Sequence, residues 1–183
     1  MRSLIVGGAR IDTRDANGTT PLIAAAYGNH VHVAEILIEA GADVNAKDDS
    51  EQSAYLIATS EVGDDPSLLE RTLAAGADVS ATDSFDGTGL IRAADRGYVR
   101  IVQRLVETDI DVDHVNRLGW TALLEAIILG GGDARHTRVV RALVAAGADV
   151  NLADGDGVPP LAHARSRGQD EVAAILERAG ARA

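Results

Sequence analysis

Chemistry in this chain would have to come from five histidines, a surplus of carboxylates and scattered hydroxyls, because it contains no cysteine. Without thiols there is no thiolate nucleophile, disulfide or sulfur-ligated metal. Among His30, His32, His114, His136 and His163 only the first two are close in sequence, and a spacing of two places them on different faces of a helix. That is not a zinc-binding pattern. Asp109-x-Asp111-x-Asp113 opens like a calcium loop, but such a loop needs glycine at its sixth position and glutamate at its twelfth. Here those positions hold His114 and Trp120. Gly130-Gly131-Gly132-Asp133 would suit a phosphate cradle only with a Lys-Ser/Thr pair behind it; it carries an acid instead and reads as a flexible loop open to partner contact. No serine or carboxylate stands in a recognisable catalytic motif. The expectation is therefore no catalytic residue, no metal ligand and no cofactor.

Charge narrows the choice of partner. The formal net charge is −11 at pH 7. Nucleic acid and anionic membrane both demand a positive footprint, so neither is expected as a partner. Arg92, Arg96, Arg100 and Arg104 recur every four residues but straddle the end of one predicted helix and the start of the next, and read as solvated or paired charges. No apolar run approaches the roughly 18 residues of a membrane helix, and the stretch Met1–Val6 is too short for a signal peptide. The compartment is left open, with the cytoplasm favoured and the periplasm requiring a leader upstream. The apolar residues, 46% of the chain, are mostly Ala, Val, Leu and Ile, with one Phe and one Trp. Such small side chains suit thin stacked layers better than one large core.

Layers are what the internal repetition demands. Gly41-Ala42-Asp43 returns as Gly76-Ala77-Asp78 and Gly147-Ala148-Asp149, with degenerate copies starting at Gly8, Asp109 and Gly180. The intervals are 33, 35, 33, 38 and 33 residues. A second string keeps the same phase: Thr20-Pro21-Leu22, Ser53-Ala54-Tyr55, Thr88-Gly89-Leu90, Thr121-Ala122-Leu123 and Pro159-Pro160-Leu161. Each unit then reads as two short helices. Thr20 is a favourable N-cap and Pro21 fits the first helical position. Gly41 ends the second helix in a left-handed conformation.

Period and strings together resemble the ankyrin repeat, and the stretch Gly119–Gly130 resembles a bacterial ankyrin subgroup. The resemblance covers nearly the whole chain and implies an all-α solenoid of helix–turn–helix units with projecting β-turn fingers. The expected division of a single domain is a partial repeat over 1–14, repeats over 15–47, 48–82, 83–115 and 116–153, and a C-terminal cap over 154–183. The cap is read from Gln169, Asp170, Glu171, Glu177 and Arg178 on the last helix. The incomplete start implies either further chain upstream or a face covered by another molecule. Two extra residues around Val62–Asp65 and five around Gly131–Arg135 are expected to lengthen the loops between paired helices.

The resemblance also implies function. Ankyrin proteins bind protein partners through a concave surface made of turn tips and the exposed ends of first helices. Carried onto this chain, that rule selects Tyr27, Phe85, Arg96, Arg117, Leu118, Trp120 and Leu129 as partner-binding residues, within a wider set that adds Ala16, Asn17, Thr19, Lys47, Asp49, Ser50, Gln52, Ser60, Glu61, Ser84, Asp95 and Ile128. Phe85, Leu118, Trp120 and Tyr27 would form an adhesive patch, since aromatic anchors concentrate interface energy; packing between turns is the other use open to Phe85 and Trp120. The expected activity is a non-catalytic protein-interaction module, monomeric or weakly self-associating through the N-terminal face. The alternative is an enzymatic or metal-dependent site in the groove.

Overall fold

The computed structural model describes residues 10–182, so the expected partial repeat over 1–14 lies mostly outside the described residues. Ten helices follow in chain order: α1 Pro21–Tyr27, α2 Val31–Glu39, α3 Ala54–Ser60, α4 Ser67–Ala74, α5 Gly89–Arg96, α6 Val99–Leu105, α7 Ala122–Ile128, α8 Ala134–Ala145, α9 Pro160–Ser166 and α10 Asp170–Arg178. They form five antiparallel pairs stacked in register. The first helices (α1, α3, α5, α7, α9) make one row and the second helices the other. Among the described residues the sole extended pairing is an isolated bridge between Thr82 and Thr88.

The local chemistry follows the sequence. Thr20, Ser53, Thr88 and Thr121 each cap a first helix, their side-chain oxygens accepting the amide hydrogens of Ile23, Leu56, Ile91 and Leu124. Gly41 ends α2 at φ 89°, the left-handed region where a side chain would be strained. Leu22, Tyr55, Leu90, Leu123 and Leu161 occupy one position of successive units and are buried, as are Leu37, Leu105, Leu143 and Leu176 on the outer row. No pair could bury both its faces alone, so stacking is the folding step. On α10, Asp170, Glu171, Glu177 and Arg178 face solvent, as a cap requires. Gln169 does not: it is buried and its amide donates to the Ile127 carbonyl at 2.8 Å.

Neighbouring units are also clamped through their turns. Asn45 accepts from the Asp78 amide at 2.8 Å and donates to the Gly76 carbonyl at 3.3 Å. Asn151 repeats this with Arg182 and Gly180, and Asp12 and Asp113 accept from Asp43 and Asp149. Of the aspartates that opened like a calcium loop, Asp113 thus serves the stack, while Asp111 accepts from the Asp113 amide within its own turn. At the junction of the second and third units the clamp position is Ser80, whose short side chain bonds Asp78 of its own turn instead. A cleft of about 460 Å³ opens there between α4 and α6, lined by Leu73, Ala77, Val79, Arg104 and others. Ser80→Asn is expected to restore the clamp and raise stability by about 1 kcal/mol, the usual net worth of added hydrogen bonds. An unchanged urea midpoint would show that the junction does not need it.

The insertions do more than lengthen loops. In the second unit residues 61–66 connect the helices, against residues 28–30 in the first. The longer loop carries Asp64 to the neighbouring unit, where Oδ1 accepts from the Arg100 and Ile101 amides at 2.8 and 3.1 Å. It caps α6, whose own N-cap residue Tyr98 makes no side-chain bond. In the fourth unit most of the gain is helix: α8 has 12 residues where α2 has 9. Asp133 caps α8 through the Arg135 and His136 amides. Those bonds, opposed by some burial and aided by His136 itself, hold its carboxyl down to about 2.

Candidate functional site

The turns and first helices meet through one residue of each unit. Every turn begins with Asp15, Asp48, Asp83, Asn116 or Asp154, and one side-chain oxygen accepts two amide hydrogens of that turn. The rest of this side chain is free to reach the following helix. The residue facing it there is Ala24, Ile57, Arg92, Glu125 or His163, apolar in the first two units and ionisable in the last three. Arg92 Nη1 donates to Asp83 Oδ2 at 2.6 Å, Asn116 Nδ2 donates to Glu125 Oε1 at 2.8 Å, and His163 Nε2 lies 2.7 Å from Asp154 Oδ2. The fourth unit has an amide in its turn because its helix supplies the acid. Two carboxylates at that distance could not both ionise.

Arg92 is the hub. Its Nη2 also reaches Ser60 at 2.6 Å, Gln52 at 2.9 Å and Glu61 at 3.3 Å, while its buried Nε makes no hydrogen bond. Burial works against the Asp83 charge, but the Gly87 amide, Arg92 and the Phe85 amide hold its carboxyl below the usual range. Glu125 goes the other way. It is 5% exposed, and burial pushes it up to about 7, against the Asn116 bond and with help from Asp95 and Asp83. These side chains floor a pocket of about 280 Å³ between the third and fourth turns and α3, α5 and α7. Phe85, Leu118 and Leu129 stand at its mouth, 62%, 54% and 52% exposed.

What kind of unit builds this pocket is settled by comparison with known families. Residues 56–154 match the model for ankyrin repeats in three copies, and residues 17–49 match the ankyrin repeat again. The chain belongs to the ankyrin-repeat family. It is 36% identical to the ankyrin repeat protein YahD of Escherichia coli (strain K12) over 99% of its own length and 90% of that protein. A crystal structure of an ankyrin repeat domain from Acinetobacter baumannii AYE superposes with a TM-score of 0.94 at 47% identity, covering 99% of this chain and 91% of that one. Another ankyrin repeat crystal structure gives 0.91 at 30% identity over 97% and 89%. Ankyrin repeats are a general protein–protein interaction module, and bacterial relatives match this chain nearly end to end.

Of the binding residues expected from the ankyrin pattern, Phe85, Arg96, Leu118 and Leu129 line the one pocket, together with Ser60, Glu61 and Asp95. Tyr27 is exposed but belongs to the first repeat, where its hydroxyl lies 3.4 Å from Asp48 Oδ2. Arg117 is exposed on its turn, its amide donating to the Phe85 carbonyl at 3.0 Å, and does not line the pocket. Trp120 is half-buried on the returning arm of the turn and also lies outside the lining. The four-residue arginine series, expected to be solvated or paired, is mostly paired: Arg92 meets Asp83 and Glu61, Arg96 meets Glu61 and Asp95, and Arg104 meets Glu70 and Glu107, while Arg100 is exposed and reaches the Asp64 backbone carbonyl. Sequence reasoning missed Asp83, Arg92, Asn116 and Glu125. The signal was available as a column of five equivalent positions that turns ionisable in the third repeat.

Proposed function

We propose that this ankyrin protein is a non-catalytic adaptor that holds a protein partner in the groove between its third and fourth repeats. The observation that carries this reading is the exposure of Phe85, Leu118 and Leu129 around a charged pocket, three of the five exposed large apolar side chains among the described residues. Exposed apolar groups gathered around a polar floor mark interaction sites. The short turn-to-helix bonds beneath them favour a pre-formed site, which lowers the ordering cost of binding.

The test is affinity capture from the source cell with three baits: wild type, Phe85→Ala/Leu118→Ala, and Glu107→Ala as a control outside the groove. The groove variant is expected to lose its partner by about tenfold in affinity or more, and the control to retain it. A folded groove variant that keeps every partner overturns the reading. An acid–base site in the same pocket is the rival, favoured only by the position of Glu125 near neutrality.

A further inference from the structure

The pocket has a feature that simple apolar docking leaves unused. Glu125 is 95% buried by its 5% exposure. Its Oε1 accepts from Asn116, and its Oε2 takes no hydrogen bond among the described residues although the side chain lines the pocket. Asp95 stands on the adjacent helix, its carboxylate paired among the described residues with the neighbouring Arg96 alone, at 3.9 Å. Glu61 and Asp83 complete the acids; the cations are Arg92, saturated by Asp83 and its polar neighbours, and Arg96, shared loosely between Glu61 and Asp95. Four carboxylates against two guanidinium groups leave an excess of negative charge at the floor, below the apolar mouth.

We propose that the pocket receives one cationic side chain, lysine or arginine, from the protein partner. The alkyl stem would lie against Phe85, Leu118 and Leu129 and the charged head would reach Glu125 and Asp95. This rests on the groove-binding reading above and names the chemistry the groove selects. An apolar plug would leave a buried carboxylate oxygen without water or partner, which is costly. An anion would meet like charges. A side chain with a long apolar stem and a cationic head satisfies both the mouth and the floor. Arginine would bridge the two acids with its fork, whereas lysine would act as a point charge.

The experiment is an NMR titration of the full chain with four probes: Nα-acetyl-lysine methylamide, Nα-acetyl-arginine methylamide, Nα-acetyl-norleucine methylamide and 1,5-diaminopentane. One capped cation is expected to shift the Phe85, Leu118 and Leu129 signals saturably, at about tenfold higher affinity than norleucine. Glu125→Gln, which can still accept from Asn116, is expected to abolish that preference while its other signals keep their native dispersion. Glu107→Gln is expected to keep it. Equal binding of norleucine, no saturable shift from any probe, or an unaltered preference in Glu125→Gln overturns the proposal. Tighter binding of the free diamine than of either capped residue also overturns it, since the pocket would then select a free amine. If the capture experiment finds a groove-dependent partner while the cations show no preference, only the cationic assignment falls. If the groove variant keeps every partner, the groove reading itself falls.

Discussion

Replacing Glu125 by glutamine is expected to stabilise the protein at pH 8 by about 3 kcal/mol and to change nothing at pH 4. The sign follows from linkage. An unfolded glutamate ionises near 4.5, whereas in the folded chain burial raises Glu125 to about 7. A folded value above the unfolded one means that the native state holds its proton longer. The stabilising protonation is therefore complete below about 4.5 and is lost as pH rises through about 7. The interval between 4.5 and about 7 converts to about 3 kcal/mol. Glutamine carries no charge at any pH, keeps the acceptor for Asn116 and has the same shape. Urea unfolding of both proteins at pH 4, 6 and 8 measures the difference. Groups that do not interact with Glu125 titrate equally in the two proteins and cancel. A gap that stays constant across that range would show that Glu125 ionises normally and that the pocket floor is wetter than the packing implies.

A glutamate at a position where glutamine is expected to be more stable fits the proposed use of its charge. Stability is commonly given up at sites that must bind or react. The third unit shows that charge as such is compatible with the fold: Arg92 occupies the same position, opposed by the Asp83 carboxylate. Glu125 alone faces a neutral partner, Asn116. It is the one member of this column whose charge is left unneutralised within its own repeat. The unneutralised carboxylate of Glu125 is thus a property of the fourth repeat, not of the array.

Most of the architecture was legible because it repeats. The helix pairs, the Thr and Ser caps and the glycine stop at Gly41 follow from local chemistry copied every 33 residues or so. Within the site, Phe85, Leu118 and Leu129 were legible for the same reason: a position exposed in one unit is exposed in the next. Arg92 and Glu125 were not, because helical periodicity places them on the buried side, where a single repeat predicts an apolar residue. Their charge is tolerated through Asp83 and Asn116, nine residues earlier in each case, a pairing visible only when the five units are aligned on one another. Trp120 lies apart from that pocket. It stands on the turn as expected, half-buried, with its amide tied back to Asn116. Asp64 could not be read at all from its own repeat, since the helix it caps belongs to the next unit in space.

A compensating pair between repeats gives the other large expected effect. In the column Leu22, Tyr55, Leu90, Leu123, Leu161 the second unit holds a tyrosine, and in the column Pro21, Ala54, Gly89, Ala122, Pro160 the third unit holds a glycine. The two touch. A methyl group placed on Gly89 would lie 2.6 Å from Tyr55 Oη, 3.0 Å from its Cζ and 2.9 Å from Thr59 Cγ2. Tyr55 is 1% exposed and its hydroxyl is 3.3 Å from the Val79 carbonyl, so the ring has nowhere to go. Helix propensity alone predicts that Gly89→Ala stabilises, by up to about 1 kcal/mol. Overpacking predicts the opposite sign and a larger size, about 2–3 kcal/mol of destabilisation. The steric effect should win because the clash is with the end of a fixed aromatic ring between two stacked layers. Tyr55→Leu alone should also destabilise, by about 2 kcal/mol, through the space it empties. Combined, the substitutions restore the pairing used at the other junctions, and the double variant should be more stable than the sum of the two costs by about 1–2 kcal/mol. Denaturant midpoints of the four proteins close the cycle. Strictly additive costs, or a Gly89→Ala protein more stable than wild type, would mean that the layers can slide apart to admit a methyl group and that the glycine is there for another reason.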